Sequence, residues 1–239
     1  MKELFEFKNW LKEIAEKKLE DESHKFVWEL MKSPYVEFHY ELLKDGNISE
    51  SFRQILSSRF DEHGVEGEDF LISKLDSNQD IEFQATIIFL LGKINKKHKS
   101  KILDYARKFT ESENDDKRDR AIIVLGWIGT IKDVEIFGQH LLEDENSKCR
   151  AWSASSFMQM WFKNESETIK KKAFESYKLA LTKESDPFVI SVMLSAIRVM
   201  GKIKLGISQT SLDELDFEKI EFSKIKAIRF LDKYLKQQS

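Results

Sequence analysis

Apolar residues recur along this chain at steps of three and four, the period of a helix that buries one face. Nowhere do they alternate with the period of two that a half-buried strand requires. Leu103, Ala106 and Phe109 follow the helical step, as do Ile136, Phe137, His140 and Leu141. On this basis the stretches 67–75, 98–109, 132–143, 166–183 and about 211–222 read as amphipathic helices. Each is paired with a second helix that opens on a short polar residue: Ser49, Asp80, Asn114, Asn146 or Asp186, with a worn copy opening at Ser223. Side chains of this kind accept a hydrogen bond from an otherwise orphaned N–H of the first turn, and Pro187 occupies the favoured first helical position. Successive caps stand roughly 30 to 40 residues apart, enough for one helix, a turn and a second helix per unit. Aligned on the caps, Phe83, Lys117 and Cys149 share one place, Gln84, Arg118 and Arg150 the next, and Leu91, Leu125 and Phe157 a third. Short polar loops, NKKHKS, ESEND, DENS and TKESD, separate the helices, and LGISQTS at 205–211 is the longest irregular stretch.

The pattern therefore predicts an all-α chain, one domain over 1–239. Its repeats run over 47–204, helices of the first 46 residues cap one end, and 205–239 caps the other. Composition changes little in this picture and closes several alternatives. Two prolines and nine glycines in 239 residues are too few for an all-β protein rich in turns. A hydrophobic fraction of 41% supports a packed core. With 39 basic and 42 acidic residues the net charge is −3, so no overall field recruits nucleic acid or an anionic membrane. The single cysteine, Cys149, cannot form an internal disulfide, and neither a signal peptide nor an apolar run of membrane length is present. A soluble, cytoplasmic protein with no membrane contact is expected.

The pattern Asp-Pro-x-Val-Arg-x-x-Ala-Ala-x-Ala-Leu-Gly, which is similar to the second helix of a HEAT repeat, is followed by Asp186, Pro187, Val189 and Ala196. Asn114, Arg118, Ala121, Leu125 and Gly126 follow it too, and Asn146, Arg150, Ala154 and Phe157 do so loosely. The chain resembles HEAT-repeat proteins over about 49–204. The resemblance implies a right-handed α-α superhelix of about six antiparallel helix pairs. Gln84 and Ile190 stand where the pattern has arginine, so a ladder of Asp and Arg side chains joining neighbouring repeats is expected to be incomplete.

No residue constellation announces catalysis. The five histidines, at 24, 39, 63, 98 and 140, lack metal-ligand spacing, and no metal or cofactor is expected. His140 reads as a half-buried, hydrogen-bonded side chain and Cys149 as a small buried hydrophobe. The glycines at 92, 126, 129 and 201 are expected to cap helix C-termini in the left-handed conformation. The lysine run from Lys93 to Lys101 lacks aromatic interleaving and reads as an ordinary solvated turn.

In a HEAT-like second helix the positions two, five, six and nine after the cap line the inner curved face. Most such positions here are small or polar, but Phe89, Ile123, Trp152 and Phe188 are large and apolar, and Asp119 and Arg120 lie among them. Apolar anchors with a charged pair to set orientation describe a protein-binding stripe. The expected function is a non-enzymatic module gripping a protein partner through Phe89, Asp119, Arg120, Ile123, Trp152 and Phe188. Analogy with stand-alone HEAT-like proteins adds a dedicated inhibitor or toxin-immunity role. The alternative is a HEAT-like alkylpurine DNA glycosylase: Trp127 or Trp152 would contact the damaged nucleotide, Asp119 would stabilise charge on the sugar, and Arg118, Arg120 and Arg150 would meet phosphates. A likeness to HEAT-like phycobilin lyases has no residue behind it beyond the repeats. Near-neutral charge weighs against nucleic acid as a partner, and Arg118, Arg150 and the caps are assigned structural roles.

Overall fold

The structure, a computed structural model, describes residues 2–17, 20–78, 80–163 and 165–238. Among these residues there are helices and no strands. The elements are α1 (Leu4–Lys17), α2 (Glu20–Leu30), α3 (Val36–Lys44), α4 (Glu50–Arg59), α5 (Gly64–Asp76), α6 (Gln84–Ile94) and α7 (Lys99–Thr110). They continue with α8 (Asp115–Ile128), α9 (Val134–Glu143), α10 (Ser147–Phe162), α11 (Glu167–Leu181), α12 (Pro187–Gly201), α13 (Gln209–Asp213) and α14 (Phe217–Gln237). Contacts gather into two compact units, Met1–Ile102 and Leu103–Ser239.

In the first unit the helices pack in sequence, α1 on α2, α2 and α3 on α4, α3 on α5, and α5 on α6. Phe26 of α2 joins α1 and α4: its ring meets Phe7 edge-on at 5.6 Å and Phe52 at 5.8 Å. Edge-to-face pairs of this kind add about 0.5–1.5 kcal/mol each beyond the area they bury. His39 and His63 lie sealed beside Phe60, with His39 Nδ1 and His63 Nε2 2.9 Å apart and His39 Nε2 3.0 Å from the Leu56 carbonyl. The carbonyl can only accept, so His39 donates from Nε2, and its bare Nδ1 accepts from the His63 Nε2–H. Burial, reinforced by His63, lowers the His39 pKa to about 3. Burial lowers that of His63 to about 4.

The lysine run is largely tied down within the same unit. Glu68, fully buried, accepts the backbone N–H groups of Lys96, Lys97 and His98 at the start of α7. Lys93 meets Asp61, Lys97 and His98 meet Asp69, and Lys101 meets Asp76. These contacts fit the expectation of an ordinary turn.

The second unit stacks helix pairs in two layers. The second helices of successive pairs, α8, α10 and α12, lie side by side in one layer, and α9 and α11 lie side by side in the other. This is the HEAT-like arrangement, and it rests on locally encoded helix starts. Asn114, Asn146 and Asp186 cap α8, α10 and α12 by accepting from Lys117, Lys148 and Phe188 N–H at 2.9, 2.8 and 2.8 Å. In the first unit Ser49 caps α4 in the same way.

Three sequence expectations are corrected here. Asp80 does not cap a helix: its φ is 54°, and its carboxylate instead accepts from Tyr40 Oη at 2.8 Å and Lys44 Nζ at 2.6 Å. Ser223 lies inside α14, fully buried, and Asp216 caps that helix. None of the four glycines has positive φ: Gly92 and Gly126 sit within helices, Gly129 is extended, and the left-handed residue after α12 is Lys202. Gly126 is needed for another reason. A Cβ there would lie 2.9 Å from Ser156 Cα, so its absence lets α8 and α10 approach, an approach also marked by Ser156 Oγ donating to the Ile122 carbonyl at 3.0 Å.

Candidate functional site

Arginine ladders set the height at which the second helices of the second unit stack. Arg118 grips the Asp144 carboxylate with two nitrogens, at 2.9 and 3.0 Å, while another donates to the Ser112 and Glu113 carbonyls. Arg150 repeats the device one pair later, on Glu184 and on the Asp144 and Glu145 carbonyls. Each arginine thus ties the loop before its own helix to the acid before the next one. Burial on its own would raise the Asp144 carboxyl, but Arg118, the Asn146 amide and His140 outweigh it and hold the pKa near 2. In the first unit Gln84 stands in the arginine's place and, among the described residues, donates to Asn78 alone. The ladder is therefore interrupted there, as the sequence indicates, and Arg118 and Arg150 are structural.

With the ladder fixing the register, the open side of the α8–α10–α12 layer can be read directly. On α10 it carries Lys148, Trp152, Ser155, Gln159 and Phe162, and on α12 Phe188, Val192, Ser195 and Val199. Trp152 and Phe188 are half-buried and meet edge-to-face across the two helices, ring centroids 6.2 Å apart. Neither ring is sealed, so together they offer one continuous aromatic surface.

On α8, Asp119 and Arg120 form the charged neighbours of this surface. Arg120 is exposed and its Nε lies 3.7 Å from Asp119 Oδ1, too far for a hydrogen bond. Asp119 is 7% exposed, and its Oδ1 accepts no hydrogen bond among the described residues. Burial raises its pKa, Arg120 pulls it back only in part, and Asp116 adds to the rise. A buried carboxylate oxygen without a donor costs on the order of 1–3 kcal/mol.

Of the six residues chosen from register, the structure brings Asp119, Arg120, Trp152 and Phe188 onto the layer of the second unit. Ile123 is corrected: at 7% exposure it is no open anchor. From Ala121 to Gly126 every residue of α8 is buried, because AIIVLG is apolar all round and a helix of that kind is covered on all sides. Phe89 is half-buried on α6 and belongs to the first unit. Phe162, 57% exposed, extends the α10 row and was missed, since it lies beyond the ninth position after the cap at which the register reading stops.

The remaining candidates are structural. Cys149 is fully buried, and burial pushes its thiol up to about 12, which suppresses the nucleophilic thiolate. His140 is half-buried on Asp144 at 2.8 Å, as the sequence indicates. Among the described residues no group of His, Cys, Asp and Glu could hold a metal ion, and no helix is long and apolar enough to cross a membrane.

Residues 68–158 match the family model described as HEAT repeats. No curated protein and no solved structure matches the chain. HEAT repeats generally mediate protein–protein interaction.

Proposed function

We infer that this chain, a HEAT-repeat protein, acts without catalysis by gripping a protein partner on the open side of α8, α10 and α12. One observation carries the reading: a half-open Trp152–Phe188 pair on the same layer as the neighbouring charges Asp119 and Arg120. The aromatic surface gains by losing water. That gain is realised only in a complex. Exposed Arg120 sits at the rim, where it sets orientation and speeds encounter. A face three helices wide favours a dedicated one-to-one binder, of the inhibitor or toxin-immunity type, over a hub with many partners. The glycosylase alternative draws no support from Arg118 and Arg150, which Asp144 and Glu184 already engage.

The test begins with a photo-crosslinking residue at position 152 and, as control, at Leu179, which is exposed on α11 in the other layer. A protein captured from position 152 and not from 179 is then purified and its affinity measured. Truncating a half-buried aromatic anchor costs about 2 kcal/mol, so Trp152→Ala should weaken binding about thirtyfold. Arg120→Ala, at an exposed position, should slow association without unfolding the chain. Unchanged affinity and unchanged rate in both variants removes this face as the binding site.

A further inference from the structure

Within the first unit, α1 and α2 flank an open cavity of about 590 Å³, lined by Lys2, Trp10, His24, Lys25, Trp28 and Glu29. Cavities of roughly 300–1,000 Å³ with aromatic walls and a few polar groups suit small organic ligands. The walls follow from helix register. On α2, Ser23, Phe26, Val27 and Leu30 are buried, which turns His24, Lys25, Trp28 and Glu29, related by steps of three and four, to the outside. Trp10 comes from α1 and is held in place by the core: its ring meets the fully buried Phe26 edge-on at 5.4 Å. Trp28 has no such cover and is 50% exposed.

Each indole carries an ammonium of the chain itself. Lys2 Nζ stands 5.0 Å from the centre of the Trp10 ring, and Lys32 Nζ stands 4.1 Å from that of Trp28. Neither lysine has an ion pair among the described residues, and neither has Glu29, whereas Lys25 is engaged with Glu22 at 2.6 Å. Two indoles, an uncompensated ammonium at Lys2 and an uncompensated carboxylate at Glu29 therefore share one cavity. That combination restricts the ligand. A simple cation finds the rings already holding lysines and is repelled by Lys2. A simple anion meets Glu29. An apolar ring alone leaves both charges without a counter-charge. A planar ring bearing one carboxylate and one ammonium satisfies all three requirements, with ring against indole and each charge on its opposite.

We propose that this cavity binds a free aromatic amino acid: Trp10 and Trp28 hold its ring, Lys2 takes its α-carboxylate and Glu29 its α-ammonium. The site lies wholly in the first unit and does not depend on the reading of α8, α10 and α12. Because its walls come from α1, α2 and the residues before α1, a bound ligand joins them and should raise the temperature at which the chain unfolds.

Isothermal titration calorimetry of the full chain with tryptophan and with phenylalanine tests this. Three further ligands each lack one part: tryptophan amide the carboxylate, N-acetyltryptophan the ammonium, and alanine the ring. At least one of the two aromatic amino acids should bind saturably, and each of the three truncated ligands should bind more weakly than tryptophan by a factor of about five or more. Trp28→Ala and Glu29→Gln should each weaken the amino acid by a similar factor. Glu29→Gln should leave N-acetyltryptophan unaffected, a pattern that a general loss of folding does not produce. Both substitutions are at exposed positions, and circular dichroism checks that helical content persists. Absence of saturable binding by both amino acids, equal binding of tryptophan and any truncated ligand, or unchanged affinity in both variants overturns the proposal.

Discussion

Sealing two histidines against each other makes the first unit acid-sensitive in a window where most proteins are stable. His39 and His63 titrate in the fold at about 3 and about 4, against 6.5 for each in the open chain. Because the folded values are depressed, the unfolded state binds more protons below pH 6.5, and stability falls as the pH falls through that value. The loss for each is RT ln[(1 + 10^(pKa,unfolded − pH))/(1 + 10^(pKa,folded − pH))], which comes to about 1.8 kcal/mol between about pH 7 and about pH 5. The pair together removes roughly 3.5 kcal/mol over that interval, a large share of an ordinary domain's stability. Most carboxylates are still ionised throughout, so the slope belongs to the histidines. Urea unfolding followed by circular dichroism at several pH values measures it, and His63→Gln supplies the control. The glutamine amide can still donate to His39 Nδ1, but one titrating group is gone, so about half of the pH slope should vanish. Side-chain NMR reads the same effect directly, with neither imidazole titrating above about pH 5. Titration of either His39 or His63 with a midpoint near 6.5, or an unaltered slope in His63→Gln, refutes the reasoning.

Two further outcomes follow from the packing of the second unit. Arg118→Ala leaves the buried Asp144 without its cation, with His140 and the Asn146 amide still bonded to it, and should cost on the order of 3–5 kcal/mol in chemical denaturation. Arg118→Lys should not restore this, because an ammonium cannot hold both carboxylate oxygens and the loop carbonyls at once; full rescue by lysine would contradict the ladder's role. Gly126→Ala should destabilise by about 1–3 kcal/mol, even though alanine favours helix, because its methyl collides with Ser156 backbone. A stabilised Gly126→Ala protein would mean that α8 and α10 are not in such close approach.

What the sequence disclosed and what it hid divide along the distance over which each feature is determined. Ser49, Asn114, Asn146 and Asp186 were legible as caps because a cap is settled within three residues of itself. Asp80 has the same chemistry and a similar neighbourhood, yet Tyr40 and Lys44, far back in the chain, draw its carboxylate away. Ser223 was misread because serine suits a buried helix position as well as a cap, and here its hydroxyl turns to the Leu205 carbonyl. The pairing of His39 with His63 has no spacing rule behind it, so nothing in the letters could announce it. Gly126 showed its glycine but not its cause, since a close helix crossing and a left-handed cap call for the same residue.

The candidate site shows the same division more sharply. Register fixes the direction in which a side chain leaves its helix, and it correctly sent Trp152 and Phe188 to one side of their layer, where they meet. Register does not say how much surrounds that direction. Ile123 leaves α8 toward the same side and is covered, even though Asp119 and Arg120 stand one turn before it, whereas Trp152 on α10 stays half-open. Polar flanking positions on the same helix therefore do not by themselves make a register-selected apolar residue an anchor; packing from the neighbouring helices decides. On α14, by contrast, Phe222 and Ile225 are both more than half exposed. In a layered helical array, then, register gives the direction of a large apolar side chain, and the packing of neighbouring helices decides whether it stays open to a partner.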